Sequence, residues 1–155
     1  MDRPLGEAAA QRRLRDGGAE IRFSAEGADG PAVGVSYPNQ TPCFDEATFS
    51  LLEQLPLLKT LDMTGAVSSS DPLRHIVRLP DLESLTLRRA SVGDDAMRYL
   101  VGLGRLRHLD LAGANVSDAG LAHLAALTDL QCLDLTATRL TEAGTAHLSN
   151  FKCTT

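Results

Sequence analysis

The feature that most constrains this chain is a repeat of 24 residues in its amino-acid sequence. The letters LDLAGANVSDAGLAHL at 109–124 return as LDLTATRLTEAGTAHL at 133–148. When the sequence is shifted against itself by 24 positions, columns of apolar residues align without a gap from Leu55 to the end. One such unit cannot bury its own leucines. Several units are therefore predicted to stack in register and share a continuous core.

The spacing of the apolar residues changes inside each unit, and this change predicts two kinds of secondary structure. Leu109 and Leu111 alternate with polar residues, which is the period of a strand with one buried face. Leu121, Leu124 and Leu127 then follow at intervals of three, which favours a short helix. Each unit is predicted to run through a strand, a turn, a short helix and a return segment.

Polar residues mark where these helices should begin. Ser117 and Thr141 occupy the N-cap position, and Asp118 and Glu142 follow in the first turn, where a carboxylate favours the helix dipole. The letters SSDP at 69–72 give the same signal in an earlier unit, because proline is tolerated at the start of a helix.

The repeats divide the chain into a predicted cap and a solenoid. The segment GEAAAQRRLRD is a helix candidate that stops at Gly17, and EIRFS is expected to form a hairpin with residues 32–37. We assign residues 1–28 to a helical and hairpin cap, because a terminal coil would otherwise expose its inner face to water. The solenoid at 29–155 belongs to the same structural domain. It comprises a divergent first coil at 29–54, with two extra residues in its turn, and repeats at 55–78, 79–102, 103–126 and 127–150.

At these residues the pattern resembles the leucine-rich repeat family. The family's L-x-x-L-x-L-x-x-(N/C/T)-x-L pattern is visible in LRHLDLAGANV and LQCLDLTATRL, and the match spans roughly residues 29 to 151. The tails VSDAGLAHL and LTEAGTAHL are similar to bacterial repeats and to the cysteine-containing class of the family. The resemblance implies an α/β fold, a right-handed solenoid or horseshoe arc with a parallel sheet on the concave face and short helices on the convex face.

The sequence departs from the family pattern at one column. Where the family has asparagine or cysteine, small side chains stand instead, so the turns are expected to depend on small size and backbone pairing. Residues 1–54 do not resemble an F-box, which removes the main support for a ubiquitin-ligase adaptor. The departing column consists of Ala66, Ala90, Ala114 and Thr138.

The exposed strand residues form the candidate binding surface. They point away from the buried leucines, onto the concave face. Five strands at about 4.8 Å and about 10 Å of height give roughly 240 Å², below the ~800 Å² per partner of a standard interface, so flanking loops must add contacts. We predict a non-catalytic protein- or peptide-binding module, although a solvated face of consensus residues would explain the same letters. The candidate binding residues are Asp62, Arg88, Arg89, His108, Asp110 and Asp134.

The C-terminal end supplies the alternative hypothesis. Only FKCTT follows the last full repeat, so a strand at 132–136 is expected to be an unpaired edge. Either Phe151 folds over that edge, another copy pairs with it, or the chain is a piece of a longer one. A structural module that forms a homodimer, or docks onto a larger assembly through this edge, is therefore the second predicted function.

No catalytic or metal-binding constellation stands out in the sequence. We find no nucleophile with a base at catalytic spacing and no phosphate-binding loop, so neither an enzyme nor a cofactor is expected. His75, His123 and His147 share one repeat position, but Tyr99 interrupts the column. Because coils lie at least about 5 Å apart, we predict a surface ladder of histidines and no metal site.

The composition of the chain limits the classes of partner that it is expected to bind. A formal net charge of −5 gives no electrostatic support for a nucleic-acid partner. An apolar span of about 18 residues and a signal-peptide core are both missing, so we expect no membrane partner and a cytoplasmic protein. A bacterial source is implied only by the resemblance of the repeat tails to bacterial repeats. Cys43, Cys132 and Cys153 are odd in number and far apart in sequence, and are expected to be free thiols.

Overall fold

The structure is a computed structural model, and it describes residues 6–24, 31–38, 45–66, 72–145, 148 and 153–154. Its elements alternate between short strands and short helices along the chain. A 3-10 helix at Pro72–Arg78 stands in place of an α-helix in one unit. The helices are α1 Glu7–Asp16, α2 Glu46–Leu52, α3 Asp94–Leu100, α4 Asp118–Leu124 and α5 Glu142–Thr145. The strands are β1 Glu20–Phe23, β2 Ala32–Ser36, β3 Thr60–Asp62, β4 Ser84–Thr86, β5 His108–Asp110, β6 Cys132–Asp134 and β7 Cys153–Thr154.

The described strands form one seven-stranded sheet in chain order. β1 pairs antiparallel with β2, and all later neighbours are parallel. Leu61, Leu85, Leu109 and Leu133 are consecutive register partners, so the 24-residue units stack as predicted. Val35 pairs with Leu61, 26 positions later, which confirms the two extra residues of the first coil.

The core lies between the sheet and the layer of helices. The register leucines Leu61, Leu85 and Leu109 each expose at most 2% of their surface. Burying one such side chain contributes roughly 1.5–3 kcal/mol, so the shared interior is the main source of stability. The helical layer contributes a fully buried residue from the equivalent position of successive units, namely Phe49, Leu73, Met97 and Leu121.

The N-terminal end carries the predicted helix and hairpin. Leu14 of α1 is buried, and α1 packs against α2 at the end of the stack. Glu7 ties the helix to the hairpin, because its Oε1 accepts the backbone N–H of Ala32 at 3.0 Å. The assignment of residues 1–28 to a separate cap stays a prediction.

Carboxylates join consecutive helices at their N-terminal ends. The Asp94 carboxylate of α3 accepts the Ser117 backbone N–H at 2.7 Å and the Ser117 hydroxyl at 2.6 Å. Asp118 of α4 repeats this arrangement with Thr141, at 2.9 and 2.6 Å. Burial raises the pKa of Asp94, but the hydrogen bonds from Ser117 and the Gly120 backbone, together with the charge of His123, hold that pKa below its ordinary 3.8. Ser117 is also the predicted N-cap of α4, since its hydroxyl accepts the Ala119 N–H at 3.3 Å.

The prediction of an unpaired strand at 132–136 was wrong. β6 ends at Asp134, and β7 pairs alongside it with Cys132 opposite Cys153 and Leu133 opposite Thr154. The offset of this last pairing is 21 positions rather than 24, which is why a search for the repeat missed the strand. The C-terminal chain itself therefore covers the edge on which the homodimer hypothesis depended.

The predicted surface ladder of histidines was also wrong for its first member. His75 is only 7% exposed, and its ring lies 6.0 Å from that of Phe49. Its Nε2 accepts a hydrogen bond from Arg74 Nε at 2.9 Å, so the buried ring has a polar partner. His123 is exposed as predicted, whereas His147 and the N-cap expected at 69–71 lie outside the described residues. Within the described part of the chain, no helix is long and apolar enough to span a membrane.

Candidate functional site on the concave face

The concave face is the face of the sheet that points away from the helices. Register pairing aligns its side chains in two rows across β3 to β6, because alternate residues of each strand point to the same side. Neither row is fully buried, in contrast to the leucines between them. The first row is Thr60, Ser84, His108 and Cys132, and the second is Asp62, Thr86, Asp110 and Asp134.

The three aspartates of the second row shape the turns that end their strands. The Oδ1 atoms of Asp62, Asp110 and Asp134 each accept, at 2.9 Å, the backbone N–H two residues further along. Such a side chain satisfies a backbone donor that the strand leaves without a partner. Part of the aspartate column is therefore structural, and only the second oxygen of each carboxylate remains for other contacts.

Arg88 bridges two of these aspartates. Its Nη2 lies 2.7 Å from Asp110 Oδ2 and 3.3 Å from Asp134 Oδ2. Hydrogen bonding to Asp110 and the charge of Asp110 raise the pKa of Arg88 above its ordinary value. Hydrogen bonds from Thr136 and the charge of Arg88 hold the pKa of Asp134 below its ordinary range. Because 48% of the Arg88 side chain is exposed, solvent screens the bridge, and its ions stay accessible to a partner.

Arg89 lies in the turn after β4 and outside the two rows. Its φ of 55° is left-handed, and its backbone N–H donates to the Ala112 carbonyl at 2.8 Å. Gly65, Gly113 and Ala137 have φ values of 70°, 70° and 57° at the equivalent positions of other units. The turn therefore requires a left-handed residue, a conformation that costs a residue with a Cβ roughly 1 kcal/mol or more.

We expect Arg89→Gly to raise the free energy of unfolding by about 0.5–1 kcal/mol, because glycine adopts the left-handed conformation without strain. Ala137→Gly should act in the same direction, and Gly113→Ala should destabilise, since its new Cβ would lie 3.2 Å from Arg89 Cγ at a φ of +70°. Urea denaturation of the three variants measures the effect. A loss of stability in both glycine variants would show that the turn does not strain these residues.

His108 and Cys132 are neighbours in the first row. They are register partners on adjacent parallel strands, and Cys132 is in turn the register partner of Cys153. The repeat period did not predict that Cys132 and Cys153 lie on adjacent strands, because β7 joins the sheet at an offset of 21 residues. No group of three or more histidine, cysteine or acidic side chains suited to a metal ion occurs among the residues that the structure describes.

Arg22 is the residue of this face that sequence analysis missed. It lies on β1, outside the repeats, and its Nη2 donates to Thr60 Oγ1 at 2.5 Å. The side chain crosses β2 at Gly34, where a Cβ would lie 2.4 Å from Thr60 Oγ1 and 3.1 Å from the Arg22 guanidinium. A glycine in a row that otherwise carries side chains is the one sequence signal of this close approach.

A groove of about 480 Å³ opens on the concave face between the hairpin and the first repeats. Arg22 and Gly34 line the groove, and so does Asp62, two residues along β3 from Thr60. The volume lies within the range of roughly 300–1,000 Å³ that is usual for ligand sites. The groove also borders the hydroxyl-bearing residues Ser36, Thr60, Ser84 and Thr86.

The fold matches solved structures of leucine-rich repeat proteins. The ectodomain of a receptor kinase from Arabidopsis thaliana superposes with a TM-score of 0.57 at 20% identity, over 96% of this chain and 90% of that one. An internalin from Listeria monocytogenes gives 0.52 at 24% identity over 67% of this chain, and a leucine-rich repeat protein of Leptospira interrogans gives 0.52 at 20% over 66%. These likenesses confirm the predicted fold.

The two bacterial structures are much longer than the segment they share with this chain. The matched part covers 29% of the internalin and 26% of the Leptospira protein. No protein-family model and no curated protein matches the sequence.

Proposed function

We propose that this chain, an α/β solenoid of leucine-rich-repeat fold, is a non-catalytic module that binds a protein or peptide on its concave face. The observation that carries the proposal is the contrast between the two faces of the sheet. One face is a closed aliphatic core, and the other presents polar and charged side chains in register on a rigid frame. The proposed contacts are Asp62, Arg88, Arg89, His108, Asp110 and Asp134.

The size of the face indicates which partners it suits. Seven strands at about 4.8 Å and about 10 Å of height give roughly 340 Å², still below the ~800 Å² per partner of a standard protein interface. An extended peptide, or a protein segment that also contacts the adjoining turns, fits this surface better than a flat globular partner. The homodimer hypothesis has lost its premise, because β7 pairs with the strand that was expected to be open.

A peptide-display selection against the full chain tests this function. We expect selected peptides to bind Arg88→Glu at least about tenfold more weakly, because the substitution places a third carboxylate beside Asp110 and Asp134 at a central position. Asp110→Asn should weaken binding less, since an amide oxygen can still accept the Ala112 N–H. Arg12→Glu, the same charge change on exposed α1, is the matched control.

Circular dichroism establishes that each variant is folded before its affinity is compared. Recovery of no peptide by the folded wild-type chain, or peptide affinities that neither Arg88→Glu nor a charge reversal at Asp62 lowers, would contradict binding at this face.

A further inference from the structure

We propose that the groove at the hairpin end binds an extended peptide through two opposite charges. An acidic side chain of the peptide pairs with Arg22. A basic side chain two positions along the peptide, with one residue between the two, pairs with Asp62. This inference rests on the proposed function and specifies its ligand.

Arg22 has the chemistry to hold a carboxylate. The guanidinium has five N–H donors, and the described residues supply one hydrogen-bond acceptor for it, Thr60 Oγ1. No carboxylate of the described residues lies within ion-pair distance of Arg22, unlike Arg88 with its two aspartates. The hydrogen bond to Thr60 and the open path over Gly34 fix the guanidinium above the groove. A planar guanidinium held in this way is suited to a bidentate pair with a carboxylate.

Asp62 has the complementary chemistry. Its Oδ1 accepts the backbone N–H and the hydroxyl of Thr64, at 2.9 and 2.7 Å, which fixes the carboxylate in place. Arg88 is turned toward Asp110 and Asp134 on the other side, so Asp62 has no cation within ion-pair distance among the described residues. Asp62 is only half-buried, so a basic group from outside can reach its second oxygen.

The spacing of the two charges matches an extended peptide. The Arg22 guanidinium is held at Thr60, two residues before Asp62 on the same strand, and two residues of a strand span about 6.6 Å. Side chains on one face of an extended peptide recur at the same interval. A peptide lying along β3 can therefore place an acidic and a basic residue, separated by one residue, over Arg22 and Asp62 together.

The charge balance of the groove disfavours a polyanionic ligand. Among the described residues that line it, Glu20 and Asp62 are acidic and Arg22 is the one cation, and the chain carries a formal net charge of −5. A phosphorylated or nucleic-acid ligand would meet more repulsion than attraction there. A ligand with one charge of each sign pairs with both fixed ions of the groove.

Selection of a random peptide-display library against the full chain and two charge-reversal variants tests the inference. We expect the wild type to enrich peptides with an acidic and a basic residue separated by one position. Arg22→Glu should instead enrich two basic residues at that spacing, and Asp62→Arg two acidic ones. A synthetic peptide taken from the wild-type selection should bind Arg22→Glu at least about tenfold more weakly. Arg12→Glu, on the exposed surface of α1, should select the wild-type pattern.

Arg22→Gln separates the effect of the charge from an effect on folding. Its amide can still donate to Thr60, while the positive charge is gone. It should lose the preference for an acidic residue and keep the basic one. The inference is overturned if both reversal variants select the wild-type pattern. It also fails, with the proposed function intact, if peptides are enriched whose binding depends on Arg88 but not on Arg22 or Asp62. If the folded wild type enriches no peptide, both proposals fail.

Discussion

Replacing Phe49 by alanine is expected to lower the free energy of unfolding by about 3–5 kcal/mol. The Phe49 ring is fully buried, in a chain whose aromatic residues make up only 4% of the sequence. It fills the place that Leu73 and Met97 fill in later units, where α2 meets the next coil. A cavity there would remove the apolar contacts of Phe49 and open a path for water to His75, whose ring lies 6.0 Å away.

Urea denaturation followed by circular dichroism measures this loss of stability. The dependence of the unfolding free energy on urea concentration should be the same in the variant and the wild type. Leu57→Ala is the control, because Leu57 is 48% exposed and its truncation should change stability by less than about 0.5 kcal/mol. If Phe49→Ala cost no more than Leu57→Ala, the hairpin end of the solenoid would not share the core of the repeats.

The stacked core was predictable because its signal is periodic. Leu61, Leu85, Leu109 and Leu133 recur at a fixed interval, and a fixed interval can only bring them together if the units coil in register. The two-residue insertion in the first coil was predictable for the same reason, since the offset of the apolar pattern changed there. Where a strand joins the sheet at another offset, as β7 does, the period carries no information about it.

The candidate site was only partly predictable, because side chains reach beyond their own column. Sequence position placed Asp110, Asp134 and Arg88 on one face, and the structure brings their charged groups together. Sequence position did not reveal that Arg89 has a left-handed backbone conformation in a turn, although glycine at two equivalent positions of other units was a signal of that turn. Arg22 was missed because it reaches the face from the hairpin, through a gap that Gly34 leaves.

Gly120→Ala is expected to destabilise the chain by about 1–3 kcal/mol, because overpacking a tight site costs that much. In an ordinary helix position the same change would stabilise by about 1 kcal/mol, so the sign of the effect is diagnostic. An added Cβ would lie 2.5 Å from Asp94 Oδ1, 2.9 Å from Val116 Cγ1 and 3.1 Å from Asp94 Cα. The carboxylate would have to move and release Ser117, leaving a partly buried backbone N–H without its acceptor.

Thermal or urea denaturation of a double-mutant cycle separates this mechanism from a general intolerance of the helix. In an Asp94→Ala background the cost of Gly120→Ala should fall by about 1 kcal/mol or more, since the obstructing carboxylate is gone. Gly104→Ala is the matched control, because a Cβ there meets no atom within 4 Å and should leave stability nearly unchanged. Equal costs of Gly120→Ala with and without Asp94 would mean that the carboxylate contact between coils does not set the requirement for glycine.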